Sequence, residues 1–209
     1  MVNKVSKGQL EVFLSRLEGF LEPKIKLEQY VMDGKIGAEM LWNAFMRGDI
    51  DNKIVGDLGC GTGILGIGAL LLGAKKVLFI DIDQDAIIQA QNNFSKAKSE
   101  DNTLGDAIFL CQDVKDFNNK VDTIIQNPPF GIQKKGNDKI FLKVAINTGK
   151  VVYHFGKTEG SNFIRKSAEA NLAKVSDEWI FEYPIKAVYK FHRKKIHRFN
   201  ASCWRILSL

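Results

Sequence analysis

The sequence contains few cysteines, no apolar run long enough to cross a membrane and no internal repeat. Its three cysteines, Cys60, Cys111 and Cys203, are too widely separated for a disulfide framework or for the paired ligands of a zinc site. We therefore expect no metal ion. The polar N-terminus lacks the apolar core of a signal peptide, so we expect a cytoplasmic protein without a membrane segment.

The length and charge of the chain limit its organisation and partners. A chain of 209 residues lies within the usual single-domain range, and we expect one domain over 1–209. Residues 1–50 would form a helical cover and residues 51–209 the core. The formal net charge of +6 favours a polyanionic partner, although an ordinary solvated surface also fits it.

Residues 54–66 begin as an apolar run, break into closely spaced glycines and continue as an Ala/Leu-rich segment. The pattern Asp57-x-Gly59-x-Gly61-x-Gly63 predicts a strand, a tight turn and then a helix. Glycine is needed where φ is positive or where a ligand touches bare backbone, and a helix start points unpaired N–H groups at a ligand. We therefore expect a nucleotide-like cofactor at this turn.

Asp57 decides between two kinds of cofactor. The spacing from Gly61 to Gly66 matches the dinucleotide-binding fingerprint, with Asp81 at roughly the distance of a ribose-binding acid. A carboxylate at Asp57, however, would repel a pyrophosphate and attract a cation, and S-adenosylmethionine carries a sulfonium and an ammonium. The pattern resembles the first motif of class I S-adenosylmethionine-dependent methyltransferases. A glycine turn that only joins a strand to a helix is the alternative.

A second motif, Asn127-Pro128-Pro129-Phe130, follows the apolar strand predicted over 121–126. Two prolines cannot continue a central strand, so the chain must turn out at the sheet edge where open α/β sheets bind ligands. The motif resembles the catalytic tetrapeptide of methyltransferases that act on planar conjugated nitrogens. The Asn127 side-chain oxygen and the Pro128 carbonyl would accept hydrogen bonds from the amine, draw its protons out of the ring plane and free its lone pair, and Phe130 would stack on a base. An ordinary proline-rich turn is the alternative.

Acidic residues follow two other predicted strands. Asp81 is placed to accept both ribose hydroxyls, whereas Asp83 more simply caps the next helix, predicted over 85–98. Asp113 would accept from the adenine amine of the cofactor and Val114 would present its backbone, although Asp113 also fits a simple turn. The same edge of the sheet should therefore hold the whole cofactor.

Gln29 and Tyr30 lie in a connector between two predicted helices, over 5–20 and from about 35 to 47. Such a connector would fold over the cofactor or run along the surface as a linker. Later in the chain, Lys134 and Lys135 lie in a polar loop beside the predicted base pocket, where they suit nucleic acid.

The strongest charge cluster interleaves basic and aromatic residues near the C-terminus. Its candidate nucleic-acid contacts are Lys190, Phe191, His192, Arg193, Lys194 and Lys195. The cations would neutralise phosphates while a ring stacks on an unpaired base. A solvated hairpin loop is the alternative.

The alternation of strands and helices, followed by a terminal strand pair, predicts an α/β, Rossmann-like class I methyltransferase fold. Its seven-stranded, mostly parallel sheet would have the order 3-2-1-4-5-7-6, with helices on both faces. That order puts the strand over 107–111 at an edge. Ile108, Phe109 and Leu110 make this edge apolar, and such an edge invites pairing with another chain.

Nearly the full chain resembles the methyltransferase-like protein five family of archaea and eukaryotes. The resemblance runs from Leu27-Glu-Gln-Tyr30 through the two motifs to Tyr189-Lys-Phe-His-Arg-Lys-Lys195. It implies an adenine-N6 methyltransferase that modifies one site of small-subunit ribosomal RNA, often with a small zinc-binding activator subunit. The family's cofactor contacts, carried over to this sequence, are Gln29, Gly59, Thr62, Ile64, Asp81, Asp113 and Val114. Where the family commonly has Tyr-Pro-Thr, this chain has Tyr30-Val31-Met32 and so lacks a hydroxyl contact to the cofactor.

The sequence therefore predicts methyl transfer from S-adenosylmethionine to N6 of an unpaired adenine in RNA, without a metal or a covalent intermediate. A glutamine-amide protein methyltransferase of release-factor type, a DNA adenine-N6 methyltransferase and a nucleotide-binding module without catalysis are the alternatives. The candidate catalytic residues are Asn127, Pro128, Pro129 and Phe130. The candidate cofactor-binding residues are Gln29, Tyr30, Asp57, Gly59, Gly61, Thr62, Gly63, Ile64, Asp81, Ile82, Asp113, Val114 and Asn127.

Overall fold

The structure, a computed structural model, describes residues 5–129, 136–186 and 196–208, which form six α-helices and seven strands. The helices are α1 (Lys7–Arg16), α2 (Gly34–Met46), α3 (Ile64–Leu71), α4 (Gln84–Glu100), α5 (Asn137–Thr148) and α6 (Ser161–Ala170). The strands are β1 (Ile54–Leu58), β2 (Lys76–Asp81), β3 (Asp106–Cys111), β4 (Val121–Gln126), β5 (Gly149–Lys157), β6 (Ala173–Lys186) and β7 (Ile196–Ser208). Within these ranges, no helix is both long and apolar enough to cross a membrane.

The seven strands form one sheet in the order β3-β2-β1-β4-β5-β7-β6, which confirms the predicted topology. Strands β1 to β5 run parallel, and β7 is antiparallel to both of its neighbours. The strand order changes direction between β1 and β4. In open α/β sheets, ligands bind at such a point, outside the carboxyl ends of the strands.

Helices cover both faces of the sheet because apolar side chains of the central strands point to both sides. On one face, Leu41 of α2 and Ile67 of α3 belong to a core cluster that also contains Phe79 of β2. On the other face, Leu142 of α5 and Ile164 of α6 belong to a second cluster. The two cores hold the central strands rigidly, so the strand ends can present polar residues at fixed positions.

The first helix and the sixth strand differ most in their bounds from the prediction. The first helix ends at Arg16, not at residue 20, because Leu17 takes an extended conformation. The next residue, Glu18, hydrogen-bonds to Asn93 of α4. The sequence predicts the sixth strand over 179–184, whereas β6 has 14 residues and pairs with β7 from Ala173 onward. Its polar residues tolerate strand conformation because β6 is an edge strand with β7 on one side only.

Candidate active site

A cavity of about 320 Å³ lies where β1, β2 and β4 end, and its size is typical of a small-molecule site. Most of the predicted site residues meet in its wall. They are Gln29, Tyr30, Asp57, Gly59, Gly61, Thr62, Ile64, Asp81, Ile82, Asp113, Val114, Asn127 and Pro129. Gly63 and Pro128 flank these residues in the chain without lining the cavity. The predicted residues Phe130, Lys134, Lys135 and Lys190 to Lys195 lie outside the described part of the chain.

The glycine turn between β1 and α3 has the conformation that its sequence requires. Gly59, Gly61 and Gly63 all have positive φ, at 68°, 53° and 83°. The Gly61 N–H donates to Asp81 Oδ2 at 2.8 Å, and the Gly59 N–H donates to the Ile80 carbonyl at 2.8 Å. The turn is therefore fixed to the end of β2 by hydrogen bonds, and α3 begins directly after it.

Asp57 is a buried acid at the bottom of the cavity. Its Oδ2 accepts from the Gly66 N–H at 2.8 Å, which ties β1 to the first turn of α3. Burial above all, and to a lesser extent the nearby Asp81, raises the pKa of Asp57 to about 7 against the opposing effect of the Gly66 hydrogen bond. A cation in the cavity would favour the ionised form of this carboxyl group.

We expect the affinity for S-adenosylmethionine to depend on pH through Asp57. The free protein holds this carboxyl group half protonated near pH 7, whereas a bound cation lowers its pKa, so binding releases a proton. Affinity should be level above pH 7 and fall by up to about tenfold for each pH unit below it. Calorimetry between pH 5.5 and 8.5 measures this, and Asp57→Asn, which cannot titrate, is the control. The same pH profile in both proteins would contradict the assignment.

Asp81 accepts two backbone hydrogen bonds in the cavity wall at the end of β2. One of its oxygens accepts from the Gly61 N–H, and the other accepts from the Asp83 N–H at 2.9 Å. Each oxygen keeps a second lone pair, because a carboxylate oxygen accepts two hydrogen bonds. Burial raises the pKa of Asp81, so the ionised form gains from any further donor that reaches it.

The connector between α1 and α2 crosses the cavity, and we name residues 18–32 the strap. At its start, the Glu18 N–H donates to Asn93 Oδ1 of α4 at 3.0 Å. The Asn93 amide in turn donates to the carbonyls of Glu18 and Thr62, both at 2.9 Å. One buried side chain therefore joins the strap, the glycine turn and α4.

A second attachment of the strap is Asp83, which follows β2. Asp83 caps α4 as predicted, by accepting from the Asp85 N–H at 3.2 Å. It also accepts from Lys24 Nζ at 2.5 Å and from Gln29 Nε2 at 2.7 Å. The other end of the Gln29 amide accepts from the Lys24 N–H at 2.7 Å. Gln29 thus secures the strap. The role of Lys24 could not be predicted from the sequence, because its partner Asp83 lies 59 residues further along the chain.

Asn127 presents an acceptor without a donor. Its Oδ1 is buried, and no described residue donates to it. The pairing of Leu58 with Gln126 places Asn127 beside Gly59. Behind it, Gln126 Nε2 lies 2.6 Å from His154 Nδ1, and burial lowers the pKa of His154 to about 3, so the ring is a neutral acceptor. A buried polar atom left unpaired costs free energy, which is typical of a site that a substrate completes.

Asp113 and Met32 complete the wall of the cavity. Asp113 Oδ1 accepts from the Lys115 N–H at 3.0 Å, and Lys115 Nζ lies 3.1 Å from Oδ2. This ion pair is largely exposed and therefore weak, so a ligand amine can exchange with the lysine. Met32 is buried in the wall and supplies an apolar contact where the family commonly has a threonine hydroxyl.

The sheet order and the cavity at its switch point define a class I S-adenosylmethionine-dependent methyltransferase. The magnesium protoporphyrin IX methyltransferase of Synechocystis PCC 6803, solved with bound S-adenosylmethionine, shares the fold, with a TM-score of 0.63 at 16% identity over 100% of both chains. More specifically, the chain belongs to the family of rRNA N(6)-adenosine-methyltransferase METTL5. The predicted family, fold class and cofactor are confirmed.

The family assignment rests on matches over nearly the whole chain. The Danio rerio rRNA N(6)-adenosine-methyltransferase METTL5 is 40% identical, and the match covers 90% of this chain and 91% of the relative. The crystal structure of PH1948 from Pyrococcus horikoshii, described as a candidate RNA methyltransferase, has a TM-score of 0.89 at 37% identity and covers 98% of each chain. The family model for ribosomal protein L11 methyltransferase (PrmA) matches residues 40–128.

Proposed function

We propose that this methyltransferase transfers the methyl group of S-adenosylmethionine to N6 of an adenine in ribosomal RNA. Asn127 Oδ1, a buried acceptor just after β4 with no donor among the described residues, carries the proposal. The relative from Danio rerio is named as an enzyme of this activity. In the reaction the S–CH₃ bond breaks and leaves a neutral thioether, the N6–CH₃ bond forms, and the methylated amine releases one proton to solvent.

Asn127 would act on the adenine amine by accepting a hydrogen bond from one of its N–H groups. The lone pair of an exocyclic amine is conjugated with the ring, so the amine is a poor nucleophile until its protons are drawn out of the ring plane. An acceptor fixed at the end of a buried strand costs no reorganisation at that moment. Pro128 would supply the second acceptor through its carbonyl, Pro129 lines the cavity, and stacking by Phe130 stays a prediction.

The cofactor would lie across the ends of β1, β2 and β3, with its groups matched to the chemistry of the wall. Asp81 would accept the ribose hydroxyls, and Asp57 would balance the positive charge of the methionine part. Asp113 would accept from the adenine amine, with Val114 presenting its backbone. The strap, held by Gln29, would cover the cofactor and exclude water.

The finer proposal is that the substrate is small-subunit ribosomal RNA, as the family resemblance implies. An adenine must leave its stack before its N6 reaches a cavity of this kind. The net charge of +6 and the predicted basic contacts at Lys134, Lys135 and 190–195 favour RNA over a protein amide. The DNA alternative is less favoured, because the relatives that match nearly the whole chain are named for methylation of rRNA.

Labelled S-adenosylmethionine tests this substrate assignment directly. We expect label in the RNA of small ribosomal subunits that lack the modification, as N6-methyladenosine after nuclease digestion. Large subunits, a DNA duplex and a release-factor protein should take up little, and Asn127→Ala should give only the background. Preferential labelling of the release factor would replace the RNA proposal with the protein-amide alternative.

We also propose that a small zinc-binding activator subunit pairs with β3, which lies at one edge of the sheet. Along this edge, Ile108 is 40% exposed. Phe109 points inward, where its ring stacks on Phe79 at 4.7 Å. A docking strand would therefore meet the backbone of β3 and the side chain of Ile108, whereas a change at Phe109 would disturb the core.

Replacing Ile108 by lysine is expected to reduce recovery of the activator in co-purification at least severalfold. A lysine at an edge discourages strand addition, and loss of one apolar contact removes part of the interface. Ile180→Lys is the matched control, because Ile180 is also an exposed isoleucine on an edge strand, at the opposite side of the sheet. Equal recovery with both variants would argue against pairing at β3.

A further inference from the structure

Two phenylalanines that sequence reasoning missed border the glycine turn. A Cβ added to Gly59 would lie 2.9 Å from Phe141 Cε1, and one added to Gly61 would lie 2.9 Å from Phe20 Cζ. Phe141 belongs to α5 and Phe20 to the strap, and both rings line the cavity. The absence of side chains at Gly59 and Gly61 therefore leaves room for two aromatic rings as well as for a ligand.

The two rings contact different glycines of the turn, and these glycines have different neighbours. Gly59, which Phe141 contacts, neighbours Asn127 because Leu58 pairs with Gln126. Gly61, which Phe20 contacts, donates to Asp81 on the ribose side. The methyl group must point at the amine that Asn127 holds, so the sulfonium that carries it belongs on the Phe141 side.

Each ring is held by its own part of the fold. Phe141 is partly buried against the core cluster that contains Leu58 and Leu142. Phe20 follows the attachment of Glu18 to Asn93 and precedes that of Lys24 to Asp83. Neither ring needs to move far to meet a ligand, because both already stand in the cavity wall.

We propose that the ring of Phe141 binds the positively charged sulfonium and lets the protein favour S-adenosylmethionine over its product, S-adenosylhomocysteine. Donor and product share the adenine, the ribose, the ammonium and the carboxylate, and they differ in one methyl group and one positive charge. An aromatic face attracts a cation within about 6 Å, and the attraction grows where water is excluded. The inference rests on the proposed function, since it assigns a role at the same cofactor site.

Phe141→Leu tests this role because leucine keeps an apolar side chain of similar reach but has no aromatic face. The expected result by calorimetry is a two- to thirtyfold loss of affinity for S-adenosylmethionine, in line with the range for cation–π contacts, and little change for S-adenosylhomocysteine. Phe20→Leu is the matched control, which should change both affinities by the same factor. The readout is the dissociation constant of S-adenosylmethionine divided by that of S-adenosylhomocysteine, so the experiment needs no turnover.

Replacing Phe141 by 3,5-difluorophenylalanine keeps the shape of the ring while withdrawing electron density from its face. It should weaken the binding of S-adenosylmethionine relative to that of S-adenosylhomocysteine. Equal losses for donor and product in Phe141→Leu would assign the ring to packing alone and overturn the inference. An unchanged ratio with the fluorinated ring would overturn it as well. If the wild-type protein bound neither ligand, the proposed function itself would fail, which is a different result from equal losses.

Discussion

Replacing Asn127 by alanine is expected to lower the single-turnover rate of RNA methylation by roughly a hundred- to a thousandfold, the usual effect of losing one group that stabilises a transition state. Affinity for the cofactor should stay within a few fold of wild type. The reason is that the buried Oδ1 has no donor among the described residues, and its hydrogen bond to the amine matters chiefly as the amine becomes tetrahedral in the transition state.

Asn127→Asp is the informative companion, because aspartate keeps an acceptor of the same reach. It should recover a large part of the rate that alanine loses, whereas a residue needed only for packing would show no such recovery. Rapid-quench measurement with saturating cofactor separates the chemical step from product release. A near-normal rate for Asn127→Ala would show that the amine is oriented by other groups.

Replacing Asp81 by asparagine is expected to weaken cofactor binding by about 2–3 kcal/mol, or roughly thirty- to a hundred-and-fiftyfold, as charged hydrogen bonds do. Asparagine keeps the shape but only one acceptor oxygen. In the structure both carboxylate oxygens already accept backbone N–H groups, from Gly61 and Asp83, so the change also loosens the turn. Calorimetry measures the effect on binding.

A second ligand separates these two contributions of Asp81. Binding of an analogue that lacks the ribose hydroxyls should suffer much less from Asp81→Asn, because only the loosened turn remains. An equal loss for the analogue would assign Asp81 to the turn alone. Undiminished affinity for S-adenosylmethionine would remove Asp81 from the binding site.

The fold could be predicted because its main signals are local. The glycines after β1 and the two prolines after β4 mark strand ends, and parallel strands of one sheet bring such ends to one edge. Asp57, Asp81 and Asn127 therefore meet in one cavity as the strand order requires. Their chemical roles stay predictions until the variants are measured.

The contacts that close the cavity could not be predicted, because they join residues far apart in the chain. Glu18 meets Asn93 across 75 residues, and Lys24 meets Asp83 across 59. No periodicity or motif records such pairs. The bounds of β6 were missed for a related reason, since pairing with β7 outweighs the polar composition of residues 173–178.

The position of β7 has a consequence for biosynthesis. This strand comes after all the others in the chain, yet it lies between β5 and β6 and buries Cys203, Trp204 and Ile206. While the ribosome still holds these residues, β5 has an open edge and β6 has no partner. Ribosome-bound chains therefore expose an apolar sheet edge until β7 has left the ribosome, and a message cut short before Ala201 would yield a product prone to aggregation, not a smaller enzyme.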